Sequence, residues 1–298
     1  MITVIISAYD RKAYLMDAIK SAISQTLNKK NYEIIVVKNF SDKNIDDYIS
    51  FNGIKSILSE KPSYSEKIIE ALKIARGDII SFLDDDDMYY DNKLEHVMSI
   101  FGKSDIVYYH NNNTIVDDNN VELNFSYNNP DFNMSSISVK KKIINTDMLE
   151  KIKHSLDTFM YLSAIESKGG IVIDDMKLTH YRMHESITHS FSSVEEYINF
   201  NKKSLERVNT SYNAMYDLFK NKKIKKFLLH KIIFTHFMKR IFDRDKFHLT
   251  YYIKFLTTGT YNEQRMYEYK IMIASIFLKN KAINKLYNNE MKKINNIK

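Results

Sequence analysis

Cysteine is absent from the sequence. That excludes a disulfide framework, a cysteine-bound zinc site and a thiol nucleophile. Glycine, at 6 residues, and proline, at 2, are scarce, which argues against long flexible linkers and disordered segments. Long hydrophobic runs are missing as well. No stretch reaches the roughly 18 uninterrupted apolar residues of a spanning helix. The longest candidate, Phe227 to Phe242, is interrupted by His230, Lys231, His236, Lys239 and Arg240. Ile2 to Ser7 is apolar but too short for the core of a secretory leader, and no basic residue precedes it. Together these absences lead to the expectation of a cytoplasmic protein.

What is present is ordinary in bulk and uneven along the chain. An apolar fraction of 44% and a charged fraction of 27% in 298 residues suit one large globular domain or two smaller ones with a real core. From Phe191 onward there are 22 Lys and Arg against 9 Asp and Glu, a net of +13, whereas residues 1–190 hold 22 basic and 28 acidic residues, a net of −6. This asymmetry predicts two parts with different partners, 1–190 and 191–298. A solvated helical surface would show the same bias.

The periodicity agrees with that division. Ile2–Ser7, Glu33–Val37 and Asp78–Leu83 are continuous apolar runs of the kind buried on both faces of a parallel sheet. Between them lie helical patterns at 13–27, 46–51 and 65–75, with Lys55–Leu58 as a further strand and Gly77 expected to close the helix before it. Alternating strands and helices predict an α/β fold: a doubly wound, mostly parallel, Rossmann-like sheet. After a strand at 105–109 the pattern changes. A hairpin turning at Asp117-Asp118-Asn119-Asn120 is expected, then a helix at 157–167 closed by Gly169 and Gly170, then two short strands at 171–173 and 178–183. Beyond Ser193 every segment reads as helix, at about 195–220, 224–243, 246–257 and 262–295.

Four consecutive aspartates, Asp84 to Asp87, follow the buried run. Open parallel sheets place ligands beyond the carboxyl ends of their strands. Four carboxylates there repel one another, and a hard divalent cation, Mn²⁺ or Mg²⁺, resolves the repulsion by taking carboxylate and phosphate oxygens together. A solvated acidic turn before the helix near Asn92 is the plainer alternative.

Phe82-Leu83-Asp84-Asp85-Asp86-Asp87, with Lys93-Leu94 behind it, resembles the acidic motif of the family-two glycosyltransferases. Val4-Ile5-Ile6-Ser7-Ala8-Tyr9-Asp10-Arg11 resembles their first strand and the turn after it. Ala22-Ile23-Ser24-Gln25-Thr26, Glu33-Ile34-Ile35-Val36-Val37 and Ala75-Arg76-Gly77-Asp78 follow in the family's order. Leu156-Asp157-Thr158-Phe159 and Leu178-Thr179-His180-Tyr181-Arg182-Met183-His184 resemble its later motifs. Each motif alone is weak, but the ordered set spans residues 1 to about 190.

The resemblance implies a glycosyltransferase A fold and transfer of a sugar from a nucleotide-sugar donor to an acceptor hydroxyl, with inversion and with Mn²⁺ or Mg²⁺. It makes 1–190 the catalytic domain and 191–298 a basic helical region. By position it assigns Asp86, Asp84 and His184 to the metal. Asp157 becomes the general base, a role that competes with that of a first-turn helix acid. Ala8, Tyr9, Asp10, Arg11, Asn39, Lys67, Asp84, Asp85 and Arg182 are assigned to the donor, Arg182 as a planar fork toward the diphosphate.

Two departures from the family pattern bear on the donor. Where the family carries Asp-Asp-Gly-Ser after the second strand, this chain has Lys38-Asn39-Phe40-Ser41-Asp42, and a lysine cannot accept a hydrogen bond from a base imide. Lys67 stands one position out of register with the family's arginine. A catalytically inactive scaffold or a binding module of the same fold is therefore the competing reading. The expected acceptor is a saccharide or a lipid-linked saccharide. The basic helix at 224–243 is expected to lie against the inner face of an anionic membrane, or else to pack on the catalytic domain or on a second copy of the chain. No nucleic-acid-binding module is present, so nucleic acid is not an expected partner.

Overall fold

The computed structural model describes residues 1–9, 12–103, 105–124, 132–183, 191–243, 246–257 and 263–295. The chain divides into two compact units, Met1–His184 and Glu185–Lys298.

In the first unit the apolar runs become β1 (Ile2–Ala8), β2 (Tyr32–Lys38), β3 (Lys55–Leu58) and β4 (Ile79–Asp84). Every residue of β1 is buried, and β2 and β4 are buried except at one position each. Their β-branched residues pack on both faces of the sheet, which is why they carry no polar alternation. The intervening helices are α1 (Leu15–Ile23), α2 (Lys43–Phe51) and α3 (Tyr64–Ile74), followed by α4 (Lys93–Phe101). Leu15, Ala18, Ile19 and Ala22 of α1 share a core cluster with Val4, Ile6 and Ala8 of β1 and with Leu94 and Val97 of α4. Helix starts are set by side chains. Asp42 accepts from the Ile45 N–H at 3.3 Å, and Ser63 accepts from the Glu66 N–H at 3.3 Å.

The remaining strands are β5 (Met88–Tyr89), β6 (Ile106–Val116), β7 (Ile137–Lys140) and β8 (Gly170–Arg182), with α5 (Thr146–Leu149) and α6 (Leu156–Ser167) between the last two. The eight strands form one sheet in the order β3-β2-β1-β4-β7-β6-β8-β5. β1 pairs in parallel with β2 and β4, and β6 in parallel with β8, whereas β7 runs antiparallel to both its neighbours. The sheet is therefore mixed but mostly parallel. Strand order reverses direction at β1, which makes the crevice beyond Ala8 and Asp84 the topological switch point.

Several local expectations are corrected. Gly77 does not cap α3, which ends at Ile74 with Ala75 as its cap. A Cβ at Gly77 would lie 2.5 Å from the Thr3 nitrogen, so glycine is required there by the close approach of two chain segments. Likewise Lys168, not a glycine, adopts the left-handed conformation after α6, at φ 59°, while a Cβ at Gly169 would collide with Val107. The turn at 117–120 forms, with the Asn120 N–H donating to the Asp117 carbonyl at 3.1 Å, but its first arm is the end of the long β6. The two short strands expected at 171–183 are one strand, β8, paired to β6 with register shifts near Asn112.

The second unit is helical: α7 (Val194–Leu218), α8 (Lys222–Asp243), α9 (Leu249–Thr257), α10 (Glu263–Phe277) and α11 (Lys279–Asn295). Ser193 caps α7, accepting from Glu196 N–H at 3.1 Å. The expected last helix is two helices separated at Leu278. Ile233, Phe237, Ile241 and Phe242 of α8 form the unit's core with Tyr252, Phe255 and Ile271. The apolar face of α8 is thus interior, the arrangement of a core helix with a lysine-bearing outer side.

Candidate functional site

The carboxyl ends of β1, β2 and β4 meet at one edge of the sheet. Ser7 is in register with Asp84, and Ala8 with Lys38. The chain turns sharply after β4, the Asp87 N–H donating to the Asp84 carbonyl at 3.3 Å. That turn sorts the four aspartates by burial. Asp85 and Asp87 are 2% and 1% exposed, whereas Asp84 and Asp86 are only partly covered. Asp84 and Asp86 therefore reach the open side, and Asp85 and Asp87 point inward.

Each inward carboxylate holds main chain. Asp85 Oδ2 accepts from the Tyr9 N–H at 3.1 Å, which joins the loop to the end of β1. Asp87 Oδ1 accepts from the Arg182 N–H at 2.9 Å, which joins it to the end of β8. Burial, and then the charges of Asp86 and Asp84, push the Asp87 carboxyl well above the usual carboxylate range. Asp84 is fixed from two sides: its N–H donates to Ser135 Oγ at 2.9 Å, and its Oδ1 accepts from Tyr64 Oη at 2.7 Å. Burial and the Asp84 charge raise the Tyr64 phenol well above its ordinary range, so it remains a donor.

Behind the loop lies a buried ammonium. Lys93 Nζ donates to the Ser135 carbonyl and, at 3.0 Å, to Thr179 Oγ1, and it lies 4.1 Å from the centre of the Tyr89 ring. Burial lowers its pKa well below the lysine range, with Asp87 opposing that shift. Lys93 stands behind the acidic motif in the sequence with no role marked for it, and Tyr64 and Ser135 lie outside the motif altogether. Tyr64 carried a local signal, because it opens the helix that Ser63 caps. Ser135 carried none, since only folding brings residue 135 to residue 84.

Arg182 is placed as a brace. Its side chain is 1% exposed. Nε donates to the Asp86 carbonyl at 2.9 Å, one terminal nitrogen to the Asp118 carbonyl at 3.0 Å, and the other to Asp17 Oδ2 at 3.4 Å. The guanidinium also stacks over the Tyr14 ring at 4.3 Å. The acidic loop, the first helix and the 117–120 turn are tied together through this one group.

The loop after β2 closes on itself. Lys38 Nζ donates to the Phe40 carbonyl at 2.6 Å and pairs with Asp46 Oδ1 at 2.8 Å, while Lys12 reaches Asp42 at 3.3 Å. Asn39, next in sequence after Lys38, is half-buried. Lys67 is 1% exposed with its ammonium 4.0 Å from the centre of the Tyr9 ring, beside the end of β1.

Asp157 lies in the first turn of α6, half-buried, with Oδ1 accepting from the Thr158 N–H at 2.7 Å. Ser155 before it is left-handed and does not cap the helix. Lys153, just upstream, pairs with Glu66 at 3.4 Å, in the first turn of the helix whose Tyr64 holds Asp84. The start of α3 thus anchors both the acidic loop and the segment leading to Asp157. Asp10, Arg11 and His184 lie outside the described residues.

The donor set suits a hard cation. Among the described residues no three carboxylates or histidines converge to enclose an ion. Mg²⁺ and Mn²⁺ do not require such a cage, because they commonly use one or two carboxylates, several waters and the phosphates of a substrate. The half-open Asp84 and Asp86 fit that pattern.

Known proteins resemble this chain in sequence and fold. The glycosyl transferase family 2 model matches residues 3–163. An uncharacterized glycosyltransferase of Rickettsia typhi is 31% identical over 186 residues, which is 60% of this chain and 56% of the relative. The chain thus spans little more than half the length of that relative. TarS of S. aureus in complex with UDP-GlcNAc has a TM-score of 0.54 at 14% identity, covering 92% of this chain and 81% of that one. A mannosyltransferase of Pyrobaculum calidifontis in complex with GDP-Man and Mn²⁺ has a TM-score of 0.54 at 10% identity, covering 95% and 83%. At such identities the likeness shows the fold, the glycosyltransferase A architecture.

Proposed function

The chain belongs to glycosyl transferase family 2, and from that premise we propose that it moves a sugar from a nucleotide-sugar donor to an acceptor hydroxyl, with inversion at the anomeric carbon and with Mn²⁺ or Mg²⁺. The observation that carries this reading is the sorting of the four aspartates: Asp84 and Asp86 toward the open edge, Asp85 and Asp87 inward as supports.

The donor diphosphate lies beyond the ends of β1 and β4. Ala8, Tyr9, Asp10, Arg11, Asn39 and Lys67 are the residues that the family pattern assigns to the nucleotide, and Asp84 and Asp86, with His184, would hold the cation. When bound, the cation offsets the negative charge that builds on the leaving diphosphate. Asp157 takes the proton of the acceptor hydroxyl as its oxygen bonds to the anomeric carbon and the bond from that carbon to the diphosphate oxygen breaks. Attack from the side opposite the leaving group inverts the centre. Asp85, Asp87, Tyr64, Lys93 and Arg182 position the loop. The acceptor is a saccharide, free or lipid-linked, and the reaction runs on the cytoplasmic side. Among the described residues no helix is long and apolar enough to cross a membrane.

The closed loop at Lys38–Asp46 supports a second reading, a family member that no longer turns over. A panel of nucleotide sugars, with and without Mn²⁺ or Mg²⁺, separates the two. Metal-dependent hydrolysis of one donor supports the transferase and names the sugar. No hydrolysis and no binding of any donor overturns it.

A further inference from the structure

We propose that α9 and its neighbour α10 form a docking face for an anionic phospholipid surface. The short helix α9 has two apolar sides. Tyr252 and Phe255 are interior: Phe255 meets the rings of Phe237 at 5.2 Å and Tyr269 at 5.3 Å, and Tyr252 Oη lies 2.8 Å from Ser275 Oγ. These contacts run in opposite chain directions, so α9 and α10 are antiparallel. Leu249, Ile253 and Leu256, spaced four and three residues apart, form a separate row along α9, and they are 59%, 53% and 55% exposed. On α10, Ile273 and Phe277 repeat the four-residue spacing, are likewise exposed, and are followed by the exposed Leu278. Single exposed aliphatics are ordinary, but a row of three along α9, with further exposed apolar side chains on the adjacent α10, marks an interaction surface.

Charge selects the occupant. Residues 246–298 contain ten Lys and Arg against three Asp and Glu, and the exposed Lys254 and Lys270 lie on these same two helices. A second copy docking isologously would set like charges against each other. A layer of phosphate headgroups over hydrocarbon answers both features, since an amphipathic helix buries its apolar side at the headgroup boundary and its lysines meet the anionic surface. The assignment is independent of the catalytic reading, and its test requires no turnover.

The test uses the full chain and sedimentation with vesicles of phosphatidylglycerol and phosphatidylcholine, or of phosphatidylcholine alone. The wild type is expected to pellet with the anionic vesicles at low salt and far less with the neutral ones. Release is expected as the screening length falls from about 10 Å at 0.1 M toward about 3 Å at 1 M. The triple variant Leu249→Gln, Ile253→Gln, Leu256→Gln should lower the bound fraction at least about tenfold, because each side chain contributes about that factor when buried. Its melting temperature should hold, since Tyr252 and Phe255 are retained. Should the triple variant fail to fold, Lys254→Gln with Lys270→Gln carries the test, and binding to anionic vesicles alone should weaken. Absence of binding to anionic vesicles at low salt, or a folded triple variant that binds like wild type, overturns the proposal. So does a wild-type dimer in sedimentation velocity that the triple variant abolishes without any vesicle binding, which would assign the face to self-association.

Discussion

Replacing Arg182 with methionine tests whether that side chain is a brace or a ligand for the diphosphate. Methionine keeps much of the packing volume and removes the charge with all its hydrogen bonds. Two of those bonds run from a cationic donor to the carbonyls of Asp86 and Asp118, at 2.9 and 3.0 Å, and each contributes about 1.5–3 kcal/mol. The pair with Asp17 adds little, about 0–1 kcal/mol, because the Asp17 side chain is 43% exposed and its charge is solvated. Relief of the desolvated guanidinium offsets part of the total. The expected net loss is about 2–4 kcal/mol, or roughly 5–15 °C in melting temperature for a unit of this size. Calorimetry on the purified chain measures it, and donor titration accompanies it. Arg182→Lys should recover less than half of the loss, since one ammonium cannot span Asp17, Asp86 and Asp118 together. A loss under about 1 kcal/mol for the methionine variant, with donor affinity abolished and partly restored by lysine, would refute the brace and return Arg182 to the role of diphosphate fork.

Three further outcomes are expected. Asp86→Asn should abolish transfer and weaken Mn²⁺ binding in calorimetry while the melting temperature holds, because Arg182 binds the Asp86 carbonyl and not its side chain; wild-type transfer by this variant would exclude the metal assignment. Asp157→Asn should lower turnover by a factor on the order of 10² or more with donor affinity kept, whereas joint loss of both would make Asp157 structural. Glu33 bears on acid stability: against the burial that would raise it, hydrogen bonds from Lys55, Arg76 and Thr3 hold its pKa down to about 2. A lowered folded-state pKa stabilises above the unfolded value near 4.5 and is lost as pH falls toward 2. Glu33→Gln should therefore flatten the fall in melting temperature across that window, and an unchanged slope would show that the Glu33 network contributes nothing to it.

How much of this was legible beforehand depended on the range of the interactions. β1, β2 and β4 were readable because a strand buried on both faces must be apolar throughout, a property of contiguous residues. The acidic run was readable for the same reason: four aspartates directly after such a strand stand at the ligand-binding edge of a parallel sheet, and the ordered motifs identified the family. Pairing across the sheet was not readable in this way. β7 runs antiparallel between β4 and β6, and β8 is one strand because β6 supplies its partners, neither of which periodicity encodes. Nor does periodicity tell an apolar helix face that meets a core from one that meets solvent. α8 and α9 carry comparable patterns, yet the former is interior and the latter presents Leu249, Ile253 and Leu256 outward. The sequence alone determined which residues carry charge and, to within about a residue, where β1, β2 and β4 end. Tertiary structure decided which of the four aspartates stay partly exposed, which are supported by Tyr9, Tyr64 and Arg182, and that Lys38 is committed to Asp46, because those contacts join residues far apart in the chain whose approach only folding brings about.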